Sequence, residues 1–172
     1  MRSNFAEVQY EAIPFDFRQT TWGMSRSEVK LAESKYPLTE NETHVTYIDQ
    51  FIELEATVGF HFIDDSLIEA GYSFHEVCLD LESCIRNYDK IKLELLYNYG
   101  LPTMDKQIRI SPENDSCFMH PSPTADKNIF IAEWRTLRSM IRLLLVSDKL
   151  ATEFGILYIS REREINFSAF VN

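Results

Sequence analysis

Two pairs of residues in the sequence have the spacing of zinc ligands. Two residues separate His75 from Cys78, and two separate Cys117 from His120. Two thiolates and two imidazoles complete a tetrahedral structural zinc site when they converge. Neither pair is accompanied by the glycine or turn residues of a zinc knuckle, and cysteine is commonly a small buried residue. We therefore predict no metal and no cofactor, with a zinc site at these four residues as the alternative.

Two segments of the first half alternate apolar with polar or small residues. Residues 52–63 and 67–76 show this period of two, which is typical of half-buried strands. Both apolar sets share one face if Phe62 lies opposite Ile68, which leaves a loop at residues 64–66. The set predicted to point inward is Val58, Phe60, Phe62, Ile68, Ala70, Tyr72 and Phe74.

The same register brings histidine and glutamate together on the other face. It places His61 opposite Glu69 and Glu55 opposite His75. Such pairs are the residue types of an acid–base or metal centre. Glu55 and His61 lie six residues apart, roughly 20 Å along one strand, so the two pairs cannot share one centre. We interpret them as ordinary cross-strand contacts.

Motifs of the common enzyme classes are missing from the sequence. There is no serine nucleophile elbow, phosphate-binding P-loop, dinucleotide-binding glycine motif or H-E-x-x-H motif. The chain has only five glycines with which to build such loops. Asp64, Asp65 and Glu69 lack the glycine and remaining ligands of an EF-hand calcium loop. We assign no catalytic residue and expect a protein that is not an enzyme.

Negative charge is concentrated in one part of the chain. The formal net charge is -10, and residues 36–85 contain no Lys or Arg. Nucleic-acid surfaces need clustered basic residues, so this balance argues against a nucleic-acid partner. We predict instead a face that docks a basic protein. The residues assigned to this face are Glu53, Glu55, His61, Glu69 and His75. The simpler alternative is a solvated face that keeps the protein soluble.

Length and composition fit one compact domain spanning residues 1–172. The chain is 45% hydrophobic, which is enough to bury a sizeable core. No apolar run has the length of a signal peptide or of a membrane span, so we expect no membrane association. The three cysteines cannot all pair, and their scarcity favours a reducing compartment. We expect a cytoplasmic protein, and the oligomeric state is left open.

Local signals predict two helices. Ser25 and Glu28 have the spacing of a capping box, and Pro37 disfavours helix in the residue before it, so a helix is expected over 26–35. A second helix is expected to start at Leu81 or Asn87 and to end at Tyr99, since Gly100 and Pro102 follow. Because the stretch Phe15 to Glu33 is explained by a helix start, we predict that it is not a working site.

Strands complete the predicted architecture. Three are expected in residues 44–76, residues 103–128 are expected to form a long loop, and three more strands follow. A helix over 134–146 is the alternative for part of the second set, because Arg135, Arg138 and Arg142 would share its face. The predicted fold is α+β, a duplicated helix plus three-stranded antiparallel sheet (αβββ-αβββ) with the helices packed on the sheet. The pseudo-repeats are an acidic αβββ unit at 15–78 and a second αβββ unit at 79–165.

Two motifs carry a resemblance to known proteins. F-R-x-T-x-W-G-M-S-x-x-E-V, at Phe17 to Val29, resembles the leading motif of a family of uncharacterised bacterial proteins, a domain of unknown function. Together with the later Y-G-L-P at Tyr99 to Pro102, it is similar to the helix-plus-sheet module of small outer-membrane-assembly lipoproteins and of β-lactamase inhibitor proteins. The chain shows neither the signal peptide nor the acylated cysteine of those lipoproteins. The resemblance therefore implies an inhibitor-like fold and no membrane-assembly role.

These observations favour a non-enzymatic binding protein of inhibitor or immunity type. The alternative is a small-ligand-binding protein or enzyme with a pocket between sheet and helices, in which His61 or His75 would transfer protons. A deep pocket lined by inward polar groups would favour the alternative, and an open acidic sheet face the binding protein.

Overall fold

A computed structural model describes residues 15–74, 80–110, 127–148 and 151–162. Within these ranges the chain forms two α-helices and eight β-strands. The helices are α1 (Arg26–Glu33) and α2 (Leu81–Tyr99), and the strands are β1 (Thr39–Glu40), β2 (His44–Phe51), β3 (Leu54–Ile63), β4 (Ser66–Ser73), β5 (Met104–Ile110), β6 (Lys127–Arg135), β7 (Ser139–Ser147) and β8 (Thr152–Ser160). Neither helix is both long and apolar enough to cross a membrane.

All eight strands belong to one antiparallel sheet. Their order is β1-β2-β3-β4-β8-β7-β6-β5, so each half of the chain forms a four-stranded meander and the two meanders join along β4 and β8. The predicted arrangement of two helices, each with its own three-stranded sheet, is therefore wrong. Two strands were missed. β1 is only two residues long. The residues of β5 were predicted to belong to the loop 103–128, because they are mostly exposed and show little apolar alternation.

The hairpin of β3 and β4 differs from its predicted register near the turn. Phe62 lies opposite Leu67 and not opposite Ile68. The loop is correspondingly shorter, since Asp64 and Asp65 alone connect the strands, with φ angles of 51° and 56°. Two residues with positive φ are typical of the type I′ turns that match the twist of a hairpin. The turn chemistry, and not the alternation of apolar residues, therefore sets the register at this end.

A β-bulge restores the predicted register farther along the same hairpin. The pairing shifts between His61 and Phe62, which leaves Ile68 as the extra residue of β4. Beyond it, His61 lies opposite Glu69 and Phe60 lies opposite Ala70. The two strands thus keep their apolar sets on one face, with Leu67 in the inward position expected of Ile68.

The predicted capping box of Ser25 and Glu28 is confirmed. The Glu28 carboxylate accepts a hydrogen bond from the Ser25 backbone N–H at 2.8 Å, and the Glu28 N–H donates to Ser25 Oγ at 3.3 Å. The helix ends at Glu33, earlier than expected, because Ser34 adopts the left-handed conformation with a φ of 54°. The second helix begins after an Asp80 cap and runs to Tyr99, as predicted.

Both helices pack on the same side of the sheet, which we call the inner face. Val29 of α1 and Ile91 of α2 are fully buried in one apolar cluster with inward residues of β2, β3, β7 and β8. The Tyr88 ring of α2 lies 5.8 Å from the Phe130 ring and 6.5 Å from the Phe154 ring. Residues 134–146 comprise the end of β6, the connection at 136–138 and most of β7, so the strand prediction is confirmed and the helical alternative is wrong. The opposite side of the sheet is called the outer face.

The segment before α1 connects the two halves of the chain. The Trp22 indole N–H donates to Ser139 Oγ of β7 at 2.9 Å, and Arg138 contacts the Asp16 carboxylate at 2.8 Å. Phe17 is buried, and its ring lies 4.9 Å from the Tyr158 ring. The described contacts of this stretch thus have a structural role.

Candidate binding surface

Glycine residues form a furrow on the outer face. Gly59 and Gly71 lie directly opposite each other on β3 and β4, and Gly155 lies opposite Ser73 on the neighbouring β8. Because these positions have no side chains, the sheet surface is lowered there. Two open depressions lie over it, one of about 280 Å³ and one of about 480 Å³. The smaller is edged by His44, His61 and Glu69, and the larger by Arg142, Leu144, Glu153 and Leu157.

A pair of stacked histidines borders the smaller depression. The rings of His44 and His61 are parallel within 5°, and their centroids are 4.3 Å apart. The two residues face each other across β2 and β3. Thr43 Oγ1 lies 2.8 Å from His44 Nδ1 and holds the ring in place. Sequence reasoning missed His44, because the pairing of β2 with β3 does not follow from the register of the β3–β4 hairpin.

The residues predicted to form the acidic face separate into three groups. His61 and Glu69 lie opposite each other on the outer face, and Glu55 lies on the same face six residues from His61 along β3. Glu53 does not join them, because it lies in the β2–β3 turn with a φ of 65° and contacts Lys90 of α2 at 3.0 Å. His75 lies outside the described residues.

The predicted zinc ligands are not placed. His75, Cys78, Cys117 and His120 all lie outside the described residues. Among the residues that are described, no group of three His, Cys, Asp or Glu side chains is arranged to hold a metal ion, and this includes Asp64, Asp65 and Glu69.

The remaining cysteine, Cys84, is a buried residue of α2 and is disulfide-bonded. Disulfides form and persist in oxidising compartments. The expectation of reduced thiols is therefore wrong for Cys84, and the cytoplasmic location stays a prediction.

Basic residues from the α1 region pair with two carboxylates of the acidic stretch. Asp49 contacts Arg18 at 2.7 Å and Lys35 at 2.8 Å, and Glu40 contacts Lys30 at 2.7 Å. These lysines and arginines precede the stretch in sequence but pack against it in the fold. The carboxylates of this stretch therefore stabilise the packing of α1 and also give the surface negative charge.

Asp49 makes a pH-dependent contribution to stability. Burial would raise the pKa of this carboxyl, but hydrogen bonds from Lys35 and Arg18 outweigh burial and lower the pKa to about 2 from an ordinary 3.8. A lowered folded-state pKa stabilises the protein above pH 3.8, and this stabilisation is lost as the pH falls towards 2. We expect Asp49→Asn to lower the free energy of unfolding by about 1 kcal/mol at pH 7, after allowance for solvent screening.

Urea unfolding of the native protein and of Asp49→Asn at pH 7 and pH 3 measures this contribution. The difference between their free energies of unfolding should be smaller at pH 3 than at pH 7. A difference that is equal at both pH values would contradict the assignment.

The second half of the outer face is apolar around one buried carboxylate. Leu144 and Leu157 are half-buried beside the larger depression. Next to them Glu133 is 6% exposed and accepts hydrogen bonds from Arg142 at 3.0 Å and from Arg135 at 3.2 Å. The outer face thus combines an apolar region with a polar region that contains carboxylates and histidines.

Among the residues that the structure describes, the space between sheet and helices offers little to a ligand. Side chains fill the interior, and the cavity described there, of about 360 Å³, lies at the sheet end beside Tyr99 and Arg138. Its carboxylate, Asp16, already accepts a hydrogen bond from the Trp22 N–H and pairs with Arg138. Burial raises the pKa of the Tyr99 phenol, which therefore stays protonated at neutral pH. His61 lies on the outer face, away from this cavity.

Comparisons with protein-family models, with curated proteins and with solved structures find no match to this chain.

Proposed function

We propose that this chain is a non-enzymatic binding protein, of inhibitor or immunity type, that holds a basic protein partner against its outer face. The observation that carries the proposal is the arrangement of this face. It lies opposite both described helices, has a glycine furrow at its centre, and combines apolar side chains with carboxylates at the edge of each depression.

Charge selects the class of partner. Glu55, Glu69 and Glu153 lie on the outer face and form no ion pair within the described ranges. The cation between them, Arg142, is engaged by Glu133. A partner that presents Lys or Arg would therefore meet complementary charge, which raises association rates and excludes acidic partners. The phosphates of a nucleic acid would meet carboxylates, so the proposal excludes that class.

Shape and polarity are suited to a protein surface. Interfaces commonly have an apolar centre and a polar rim, and a few large side chains that enter pockets contribute most of the affinity. Here Leu144 and Leu157 provide the apolar centre, and the furrow provides room for side chains of the partner. The carboxylates and the stacked histidines form the rim.

The test compares charge reversal on two surfaces. Affinity capture from the source organism is run with the native protein, with Glu55→Lys/Glu69→Lys, and with the control Glu82→Lys/Glu94→Lys, which makes the same change in net charge on α2. We expect a basic protein to be recovered by the native chain and by the control, and lost by the outer-face variant. With that partner purified, the dissociation constant should rise by about tenfold to a hundredfold in the outer-face variant alone.

Salt gives a second readout. Binding should weaken between low salt and about 0.5 M, where charge–charge interactions are screened within a few ångströms. Equal recovery by all three proteins, or binding that does not respond to salt, would contradict the proposal.

A further inference from the structure

Nothing in the described part of the fold requires residue 59 to be a glycine. The φ angle of Gly59 is not in the left-handed region, and a Cβ atom there would meet nothing within 4 Å. Gly71 differs, because the close approach of β8 leaves no room for its Cβ. Glycine inside a strand weakens the strand and often marks a place where a ligand approaches the backbone closely. The space over Gly59 is therefore open to a group from outside the chain.

A carboxylate and an imidazole border the smaller depression, which lies over Gly59. Glu69 and His61 face each other across β3 and β4. Within the described ranges, the Glu69 carboxylate forms neither an ion pair nor a hydrogen bond, and the His61 ring nitrogens form no hydrogen bond. The His44 ring stacks on His61 from the side of β2, at 4.3 Å, and restrains the imidazole. The border thus offers a free carboxylate and, when His61 is neutral, a free ring nitrogen acceptor.

The burial of Glu69 makes a counter-charge favourable at this position. Glu69 is half-buried, whereas Glu55 on the same face is exposed. A carboxylate that is partly removed from water interacts more strongly with a cation than an exposed one does, because the effective dielectric constant around it is lower. A basic side chain that enters the depression would therefore gain most from Glu69.

Arginine fits this border better than lysine. Its guanidinium presents several N–H donors in one rigid plane and binds a carboxylate through two parallel hydrogen bonds, whereas an ammonium is a compact point charge. The donors that remain after binding Glu69 can reach the His61 ring nitrogen on the neighbouring strand. The depression has a volume of about 280 Å³, and a water molecule occupies roughly 30 Å³, so a long side chain can enter it.

We propose that the depression over Gly59 is a subsite for an arginine side chain of the partner, with the guanidinium held by Glu69 beside His61. The proposal rests on the proposed function and makes it more specific, because it names the partner residue that enters the outer face. Two observations carry it. Glu69 is half-buried without an ion pair in the described ranges, and the neighbouring strand glycine leaves space that the fold does not use.

Titration with small arginine compounds tests the subsite without the partner. The isotope-labelled full chain is titrated with N-acetyl-arginine amide and, separately, with N-acetyl-citrulline amide, which has nearly the same shape but no charge. Chemical shifts in two-dimensional NMR spectra report where each compound binds. We expect the arginine compound to move the signals of Gly59, His61 and Glu69 in a saturable way, and the citrulline compound to leave them unchanged.

Two variants and one control locate the contact. Glu69→Gln removes the charge, and Gly59→Val fills the depression, so each should raise the dissociation constant of the arginine compound about fivefold or more. The control Glu55→Gln removes the same charge from an exposed position of the outer face that does not border the depression. It should change the constant by less than about twofold. Circular dichroism checks that each variant is folded, and Glu69→Gln decides the result if Gly59→Val does not fold.

The subsite and the proposed function fail in different ways. If the native chain binds the arginine compound no better than the citrulline compound, or if Glu69→Gln and Glu55→Gln weaken binding equally, the subsite is overturned. Capture of a basic protein that is lost on charge reversal would still support the proposed function in that case. Binding of the arginine compound at Glu69 without capture of any basic protein would support the subsite and contradict the proposed function.

Discussion

A single methyl group added at Gly71 is expected to lower the free energy of unfolding by about 3 kcal/mol or more, at the upper end of overpacking effects. A Cβ atom at this position would lie 2.3 Å from the carbonyl oxygen of Ile156 and 3.3 Å from its carbon. These are backbone atoms of β8 and cannot rotate away as a side chain would. Relief requires β4 to separate from β8, and this pair of strands joins the two meanders.

Gly59→Ala is the matched control for this prediction. Gly59 lies opposite Gly71 on the same face, and a Cβ atom there meets nothing within 4 Å. The same methyl group should therefore be neutral or stabilising by up to about 1 kcal/mol, because glycine in a strand costs conformational entropy. Gly155→Ala should resemble Gly71→Ala, since its Cβ would lie 2.6 Å from the carbonyl oxygen of Tyr72. Urea unfolding measures all three, and equal stability of Gly71→Ala and Gly59→Ala would contradict the account.

Signals carried by neighbouring residues could be read from the sequence. The capping box of Ser25 and Glu28 and the glycine after Tyr99 located both helices, because caps depend on residues three or four positions apart. The alternation of Val58 and Phe60 correctly identified the inward side of β3. In each case the residues that predict the helix or strand lie within that element or directly beside it.

Features that depend on distant residues could not be read in this way. Nothing local to Ser73 indicates that β8 pairs with it, so the joining of the two meanders into one sheet was missed. The bulge at Ile68 follows from the tight turn before it and not from apolar alternation. β5 was assigned to a loop because an exposed edge strand has little apolar pattern.

Local signals predicted only part of the candidate surface, because the rest of it depends on residues that are distant in sequence. Glu55, His61 and Glu69 share a face because they lie on one hairpin, and the period of two was sufficient to show this. The ion pairs of Asp49 with Arg18 and Lys35 depend on where α1 packs, and the distribution of charge along the sequence does not predict that position. The glycine furrow likewise exists only once β8 lies beside β4.

Removing the Arg18 guanidinium is expected to lower the free energy of unfolding at pH 7 by about 3 kcal/mol or more. Arg18 Nε donates to Glu33 at 2.8 Å, and Arg18 Nη2 donates to Asp49 at 2.7 Å. The Glu33 side chain is 2% exposed, and its second carboxylate oxygen has no hydrogen-bond partner in the described ranges. In Arg18→Met the hydrocarbon stem remains, but the buried Glu33 carboxylate loses its counter-charge, and this loss causes most of the destabilisation.

A double-mutant cycle isolates that cause. Arg18→Met/Glu33→Gln removes the buried charge together with its partner, so it should be more stable than Arg18→Met alone, because an unpaired buried charge costs more than a missing pair. The control is Arg86→Met, which breaks a pair with Glu82 at a similar distance of 2.9 Å on the exposed side of α2. This control should change stability by less than about 0.5 kcal/mol. If Arg18→Met and Arg86→Met destabilise the protein equally in urea unfolding, the buried position of Glu33 is not what makes Arg18 necessary.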